Sequence, residues 1–347
     1  MKLDKTKIKK ILVIKFGGIG DILLATPVLP NLRSEFPDAE IYFLTKRHSR
    51  DILIDNPYLA RAFTYDSEED KSWCLLKNIR KQKYDLVIDL YGNPRTALIT
   101  FMSGAKYRFG FTFRGRSYAY NIKAEGRGGK VHIVEFNLDA LRHLGIPVKS
   151  KELLLQTNIV HEEFTDEFFR SKNLGGKTII GISLTGGWEA KRYKIPDYID
   201  LIGKINKVYD VDFILFGGNE RELNDCKTIH EAVPGNTYIA PYSPIKYLAS
   251  MISRCSIVIG NDSGPLHISA AMKVPTLGIY GPTKSELASP YGALNLSVSN
   301  LNLECLGCGL LECNIGNICM TELSKNLIMD KLTELIRINN INVSLKK

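Results

Sequence analysis

Residues 11–21 read ILVIKFGGIGD, a short run of branched and aromatic residues that stops at three glycines and an aspartate. An apolar run of this length fits a strand buried on both faces. The glycines fit a tight turn, and Asp21 fits a helix start, where the dipole favours a carboxylate. Strand, glycine turn and helix in that order open a βα unit. Similar apolar runs recur at 41–44 (IYFL), 86–90 (LVIDL), 178–184 (TIIGISL), 213–216 (FILF), 257–260 (IVIG) and 276–280 (TLGIY), those of the second half each followed by Gly, Pro, Asn or Asp. In the first half, stretches of helical spacing lie at 22–33, 71–82, 96–103 and 131–144. The class is therefore α/β. The pattern restarts after Gly145-Ile146-Pro147 and Gly175-Gly176, which divides the chain into two Rossmann-like domains, 1–160 and 161–347. A last helix near 325–336 is expected to return to the first domain.

Composition narrows the setting. With 347 residues, 44% hydrophobic and 24% charged, the chain has ordinary globular usage and enough length for two cores. No apolar run reaches 18 residues, and the opening MKLDKTKIKK lacks a leader's apolar stretch, so a cytoplasmic location is expected. The net charge of +9 is lopsided: residues 1–150 hold 26 Lys and Arg against 16 Asp and Glu, whereas residues 151–347 hold 20 against 21. A cationic first half concentrates anionic partners, or is simply a solvated basic face.

Ligands of doubly wound sheets bind beyond the carboxyl ends of the strands, and three unusual segments fall there. In the first, Lys15 to Asp21, glycines 17, 18 and 20 allow close backbone approach, and the plainest reading of Asp21 is a helix-capping carboxylate. The dinucleotide fingerprint is not completed. Its third glycine position is Leu23, and Thr45-Lys46-Arg47 stands where an acid is required, which weakens the alternative of an NAD(P)-dependent oxidoreductase. The second segment, Ser183 to Tyr193, sets Thr185 and Gly186 before Lys191 and Arg192, hydrogen-bond donors and cations suited to a diphosphate or a solvated basic loop. The third, Gly260-Asn261-Asp262-Ser263-Gly264-Pro265-Leu266-His267, turns a strand into a small-residue helix whose first N–H groups form an anion site. On spacing alone His267 reads as a hydrogen-bonded structural histidine. Lys177-Thr178 after Gly175-Gly176 imitates the end of a P-loop but precedes a strand, and Asp210-Val211-Asp212 imitates an acid-x-acid metal motif but stands where a strand begins and reads as a turn.

Together KFGGIGDILLATPVLPNLR, SLTGGWEAKRYKIPDY, FGGNERE and NDSGPLHISAAMKVPTLGIYGPT resemble glycosyltransferase family nine, the ADP-heptose:lipopolysaccharide heptosyltransferases, from residue 11 to about 320. The resemblance implies a GT-B fold, two Rossmann-like domains facing across a cleft, with acceptor on the first and donor on the second. It implies an inverting transferase that moves a heptose or related sugar from an ADP-activated donor to a lipopolysaccharide core acceptor, with no cofactor for catalysis. Asp21 then becomes the general base, Lys191 the diphosphate ligand, Asp262 the sugar-contacting acid, and Ser263 with Gly264 the backbone phosphate site. Glu220 or Glu222 would hold the ribose. His267, Thr185, Gly186 and Arg192 join the donor-binding set, and Lys15, Gly18, Gly20, Arg114 and Arg116 the acceptor-binding set. Tyr193-Lys194-Ile195-Pro196 departs from the family's usual K-R-W-P ending. The basic excess then suits an anionic lipid-linked oligosaccharide, with peripheral contact at the inner membrane surface and no nucleic-acid partner. A non-catalytic sugar-nucleotide-binding subunit is disfavoured by Asp21, Lys191 and Asp262 occurring jointly.

Of seven cysteines, Cys74, Cys226 and Cys255 are isolated, while Cys305, Cys308, Cys313 and Cys319 are close enough in sequence to surround one ion. In a reducing compartment the four read as a structural zinc site first, an iron–sulfur cluster second, or as unmetallated thiols.

Overall fold

The computed structural model describes residues 3–66, 72–113 and 115–346 and divides into two compact units, Met1–Gln156 and Thr157–Lys347. In the first unit six parallel strands, β1 (Lys10–Ile14), β2 (Glu40–Lys46), β3 (Arg61–Tyr65), β4 (Leu86–Asp89), β5 (Tyr107–Phe111) and β6 (Ile122–Ala124), form one sheet in the order β3-β2-β1-β4-β5-β6. The second unit repeats the order with β7 (Thr178–Ser183), β8 (Val211–Phe216), β9 (Thr237–Ile239), β10 (Ile257–Asn261), β11 (Thr276–Ile279) and β12 (Leu296–Val298), arranged β12-β11-β10-β7-β8-β9. Both sheets reverse direction of growth at their centre, between β1 and β4 and between β7 and β10. Such switch points open a crevice at the strand ends.

The strands predicted from apolar runs are the central ones, because a strand covered on both faces must be apolar throughout. Ile11 to Ile14 and Ile257 to Ile259 are fully buried. Strands β3, β5, β6, β9 and β12, which carry no such run, escape that reading; β3, β6, β9 and β12 are the sheet edges and β5 lies next to one, where polar residues are tolerated.

The first unit carries helices α1 (Ile19–Leu23), α2 (Val28–Glu35), α3 (Ser72–Lys81), α4 (Pro94–Met102) and α5 (Ile133–His143). The single helix expected over 22–33 is in fact two. Thr26 Oγ donates to the Leu23 carbonyl at 2.6 Å, closing the first piece, and Pro27 caps the second because its ring cannot continue a helix already under way.

The second unit carries α6 (Ile159–Ser171), α7 (Ile195–Val208), α8 (Glu220–Ala232), α9 (Ile245–Ser253), α10 (Gly264–Ala271), α11 (Ser285–Ala288), α12 (Ile318–Thr321) and α13 (Lys325–Ile338). The closing helix packs within the second unit. Ile328, Leu332 and Leu335 of α13 share one face at i, i+4 and i+7 spacing and enter the second unit's own core beside Val298 and Leu277, while Lys325 pairs with Asp197 of α7 at 2.8 Å. Among the described residues no helix is long and apolar enough to cross a membrane.

Candidate active site

At the first switch point the turn after β1 is built around Asp21. Its Oδ2 accepts the Gly18 N–H at 2.9 Å, so the carboxylate does cap the first turn of α1. Gly17 must be glycine: its φ is +134°, and a Cβ there would meet the Asp21 carboxylate at 2.5 Å. His48 Nε2 and Ser49 Oγ both donate to the Gly17 carbonyl at 3.1 Å, which ties the turn to the segment after β2. Gly20 lies within α1, its carbonyl accepting the Leu24 N–H.

Lys15 is not a surface cation. It is 6% exposed, and its ammonium bonds the Leu90 carbonyl and Asn137 Oδ1, each at 3.3 Å. Burial lowers its pKa, against the opposing pull of Asp21 and Asp89. Asp89, also buried, is raised by desolvation, against hydrogen bonds from Gly92, Tyr120, Thr96 and Tyr91. Arg116 donates to the Gly92 carbonyl at 2.9 Å and so holds the loop after β4; Arg114 lies outside the described residues.

Around these strand ends is a cavity of about 470 Å³, walled by Phe16, Tyr65 and Tyr91 and by Lys46, His48, Asp66, Asn93 and Arg95. Phe16 stacks near Tyr65 at 6.2 Å, and the Arg95 guanidinium lies 5.3 Å from the Tyr65 ring centre. Aromatic walls beside cations suit an anionic saccharide. His48, Tyr65 and Arg95 had no part in the sequence reading, and Lys46 figured there only as a residue that breaks the dinucleotide pattern; the signal for them was their place at or just beyond a strand end.

The second switch point gathers the donor candidates of that unit. Lys191, from the loop after β7, and Asp262, from the loop after β10, meet at 2.5 Å with both side chains largely buried. The Lys191 ammonium also sits 3.8 Å from the centre of the Trp188 ring. Beneath them Asn261 joins the two loops: its Oδ1 accepts from Tyr193 N–H and Tyr198 OH, and its Nδ2 donates to the carbonyls of Leu184 and Thr185. Sequence reading passed over Asn261, although it stands within the quoted motif.

Ser263 occupies the N-cap of α10, but its hydroxyl turns to the Asn261 carbonyl at 3.1 Å, and no side chain caps the helix there. Pro265 has no N–H and the Leu266 N–H bonds the Ser263 carbonyl at 3.2 Å, so it is the backbone at Ser263 and Gly264 that the helix start offers to an anion. His267 is buried within α10. Burial, with the nearby Asp262 carboxylate, pushes the Tyr280 phenol well up.

The choice between Glu220 and Glu222 narrows here. Glu222, 1% exposed, accepts from Gly218 N–H at 2.7 Å and from Arg192 at 2.8 Å, so both are engaged within the protein. Arg192 also donates to the Gly186 carbonyl at 3.2 Å. Glu220 instead lines a cavity of about 430 Å³ with Phe168, Leu223, Pro241 and Tyr242.

Of the four clustered cysteines, Cys319 is buried, Cys305 and Cys313 are half-buried and Cys308 is exposed. Asn317 N–H donates to Cys313 Sγ at 3.2 Å. Burial first, then the other three thiols, push the Cys319 thiol up to about 11. Among the described residues no three His, Cys, Asp or Glu side chains are grouped as a metal's ligands would be, so the thiols do not stand as a ligand shell.

Comparison with known proteins gives the family and the fold. The family model described as glycosyltransferase family 9 (heptosyltransferase) matches residues 72–318. Lipopolysaccharide heptosyltransferase 3 of Escherichia coli is 26% identical over 285 residues, covering 76% of this chain and 81% of its own. A glycosyl transferase family 9 structure from Veillonella parvula superposes with a TM-score of 0.82 at 21% identity, over 95% of this chain and 97% of that one. The E. coli heptosyltransferase WaaC, solved with ADP-2-deoxy-2-fluoro heptose, gives 0.69 at 18% identity over 94% and 99%. With a family model covering most of its length and the family's fold in both units, the chain belongs to glycosyltransferase family 9.

Proposed function

We propose that the chain transfers a heptose or related sugar from an ADP-activated donor to a lipopolysaccharide core acceptor, with inversion and without a catalytic metal. The observation that carries the reading is the meeting of Lys191 and Asp262 beside the open start of α10, a cation and N–H donors where a diphosphate would lie. The second unit binds the donor: Lys191 and the backbone at Ser263 and Gly264 take the diphosphate, Glu220 the ribose and Asp262 the sugar. Arg192, with Glu222, holds the Gly186 loop in place. The first unit binds the acceptor in the cavity lined by Phe16 and His48, whose ring bonds the Gly17 carbonyl of the turn that carries Asp21, with Lys46 and Arg95 toward its anionic groups.

Asp21 accepts the proton of the acceptor hydroxyl as that oxygen bonds to the anomeric carbon. The bond to the diphosphate breaks, and its electron pair leaves with ADP. Charge growing on the departing oxygens is met by Lys191 and by preorganised N–H groups, which fill the place a divalent ion takes in other transferases. The names of the relatives support the sugar and acceptor: one is a lipopolysaccharide heptosyltransferase, another is complexed with a fluorinated ADP-heptose.

Incubation with ADP-heptose and a heptose-deficient core fragment tests this. ADP release, a one-heptose mass gain and an inverted anomeric configuration are expected; donor hydrolysis without acceptor gain, or no ADP release, overturns the reading. Two finer parts belong with it. The enzyme works in the cytoplasm in peripheral contact with a membrane that carries its acceptor. The cysteine segment takes a structural zinc, supported by four thiols within residues 305–319 and by the field they share at Cys319, although the segment would have to close around the ion.

A further inference from the structure

Residues 72–123 contain ten Lys and Arg but only two acids, Asp85 and Asp89. Asp89 is buried under the Tyr120 hydroxyl, and Asp85 accepts the backbone N–H groups of Lys9 and Lys10. On this basic stretch lies an apolar patch that the transferase reading leaves unused. Helix α4 buries Thr96, Ala97, Ile99 and Thr100 and turns Leu98 and Phe101, 44% and 47% exposed, to solvent on one face. Tyr118, 55% exposed, packs edge-on against Phe101 with ring centres 5.8 Å apart. Arg108 lies 6.0 Å from the Phe101 ring centre and is fixed by the carbonyls of Ala105 and Ala119. Lys77, Arg80 and Lys81 of α3 are exposed on the neighbouring helix, whose Arg80 bonds the Met102 carbonyl at 3.3 Å.

We infer that this face docks on an anionic lipid bilayer, with Leu98 and Phe101 entering the headgroup layer and Tyr118 and the basic side chains at phosphate level. Apolar and aromatic side chains ringed by cations are the pattern of an interfacial anchor: burial holds the centre, and anionic lipids hold the rim. Charge decides between occupants. A second copy would bring the same cationic face and be repelled, and a polyanion without acyl chains would leave Leu98 and Phe101 in water. The inference sharpens the membrane-contact part of the proposed function and rests on that reading only for why a bilayer is reached, so its test uses neither donor nor acceptor.

Flotation of the full chain with vesicles of phosphatidylcholine, alone or mixed with phosphatidylglycerol, tests it. Binding to the mixed vesicles only, weakening with salt, is expected. Leu98→Ser with Phe101→Ser should lower partitioning about tenfold or more, and Lys77→Glu and Lys81→Glu about fivefold each, with melting temperature and ADP affinity unchanged. Absence of vesicle binding, equal binding to neutral vesicles, or full binding by the Ser double variant overturns the inference. So does a wild-type dimer, seen by light scattering, that becomes monomeric in that variant. Vesicle binding without sugar transfer would overturn the transferase reading and leave this one standing.

Discussion

Asp21 shows how a capping residue and a base can share one carboxylate. Only Oδ2 takes the Gly18 N–H, and an asparagine can accept the same bond through its amide oxygen while losing the ability to accept a proton. Asp21→Asn should therefore leave the melting temperature and ADP affinity unchanged and lower turnover roughly 10²- to 10⁴-fold. Turnover near wild type would reduce Asp21 to its cap. Lys191→Ala should act differently, because it strands the buried Asp262 carboxylate without its cation. Calorimetry should show ADP affinity falling, with a lowered melting temperature that Asp262→Asn in the same chain partly restores; unchanged affinity would point to Lys194 instead. Arg95→Ala, in the first unit, should raise the KM for the acceptor several-fold with ADP affinity untouched, since Arg95 lines the cavity proposed for the acceptor.

Helix α5 illustrates how an element's own charges set its pH limit. Burial would raise the Asp139 carboxyl, but hydrogen bonds from Arg127 at 2.6 Å and Arg142 at 2.6 Å overcome this and hold it below the ordinary carboxylate range. A depressed folded pKa means stability present above the unfolded value and lost as pH falls through the folded one. Asp139→Asn should thus lower the melting temperature at pH 7, and the gap to wild type should shrink steadily below about pH 4. A gap independent of pH would assign the loss to packing. Elements also mark where local pattern stops being informative. The apolar runs of β1, β4, β7, β8, β10 and β11 could be read because both faces of a central strand are covered. The pieces α1 and α2 could not be separated, since Ile22 to Leu32 keeps helical spacing across Pro27.

At the scale of the whole molecule, the proposed mechanism and the cysteine segment make separable predictions for chelation. Transfer should persist in EDTA, because Lys191 and the α10 start meet the leaving charge. If zinc holds residues 305–319, prolonged chelation should instead lower the melting temperature slowly, with recovery on adding zinc, and metal analysis should find one zinc per chain; a metal-free chain with unchanged melting leaves four thiols. The class, the two-domain repeat, the three loops and the family motifs are local properties, short patterns of residue type that need no partner to be recognised. For that reason they were legible in the sequence alone. What tertiary structure decided is which groups meet. Lys191 and Asp262 lie 71 residues apart and touch because β7 and β10 are neighbours at a switch point. Glu222 was indistinguishable from Glu220 until burial against Gly218 and Arg192 engaged it, and the burial of Lys15 came only with the sheet closing over it. The cavity walls Lys46, Tyr65, Tyr91 and Arg95 come from strand ends that only the order β3-β2-β1-β4 makes adjacent. Strand order is set by burial summed over the whole domain, and no local stretch of chain encodes it.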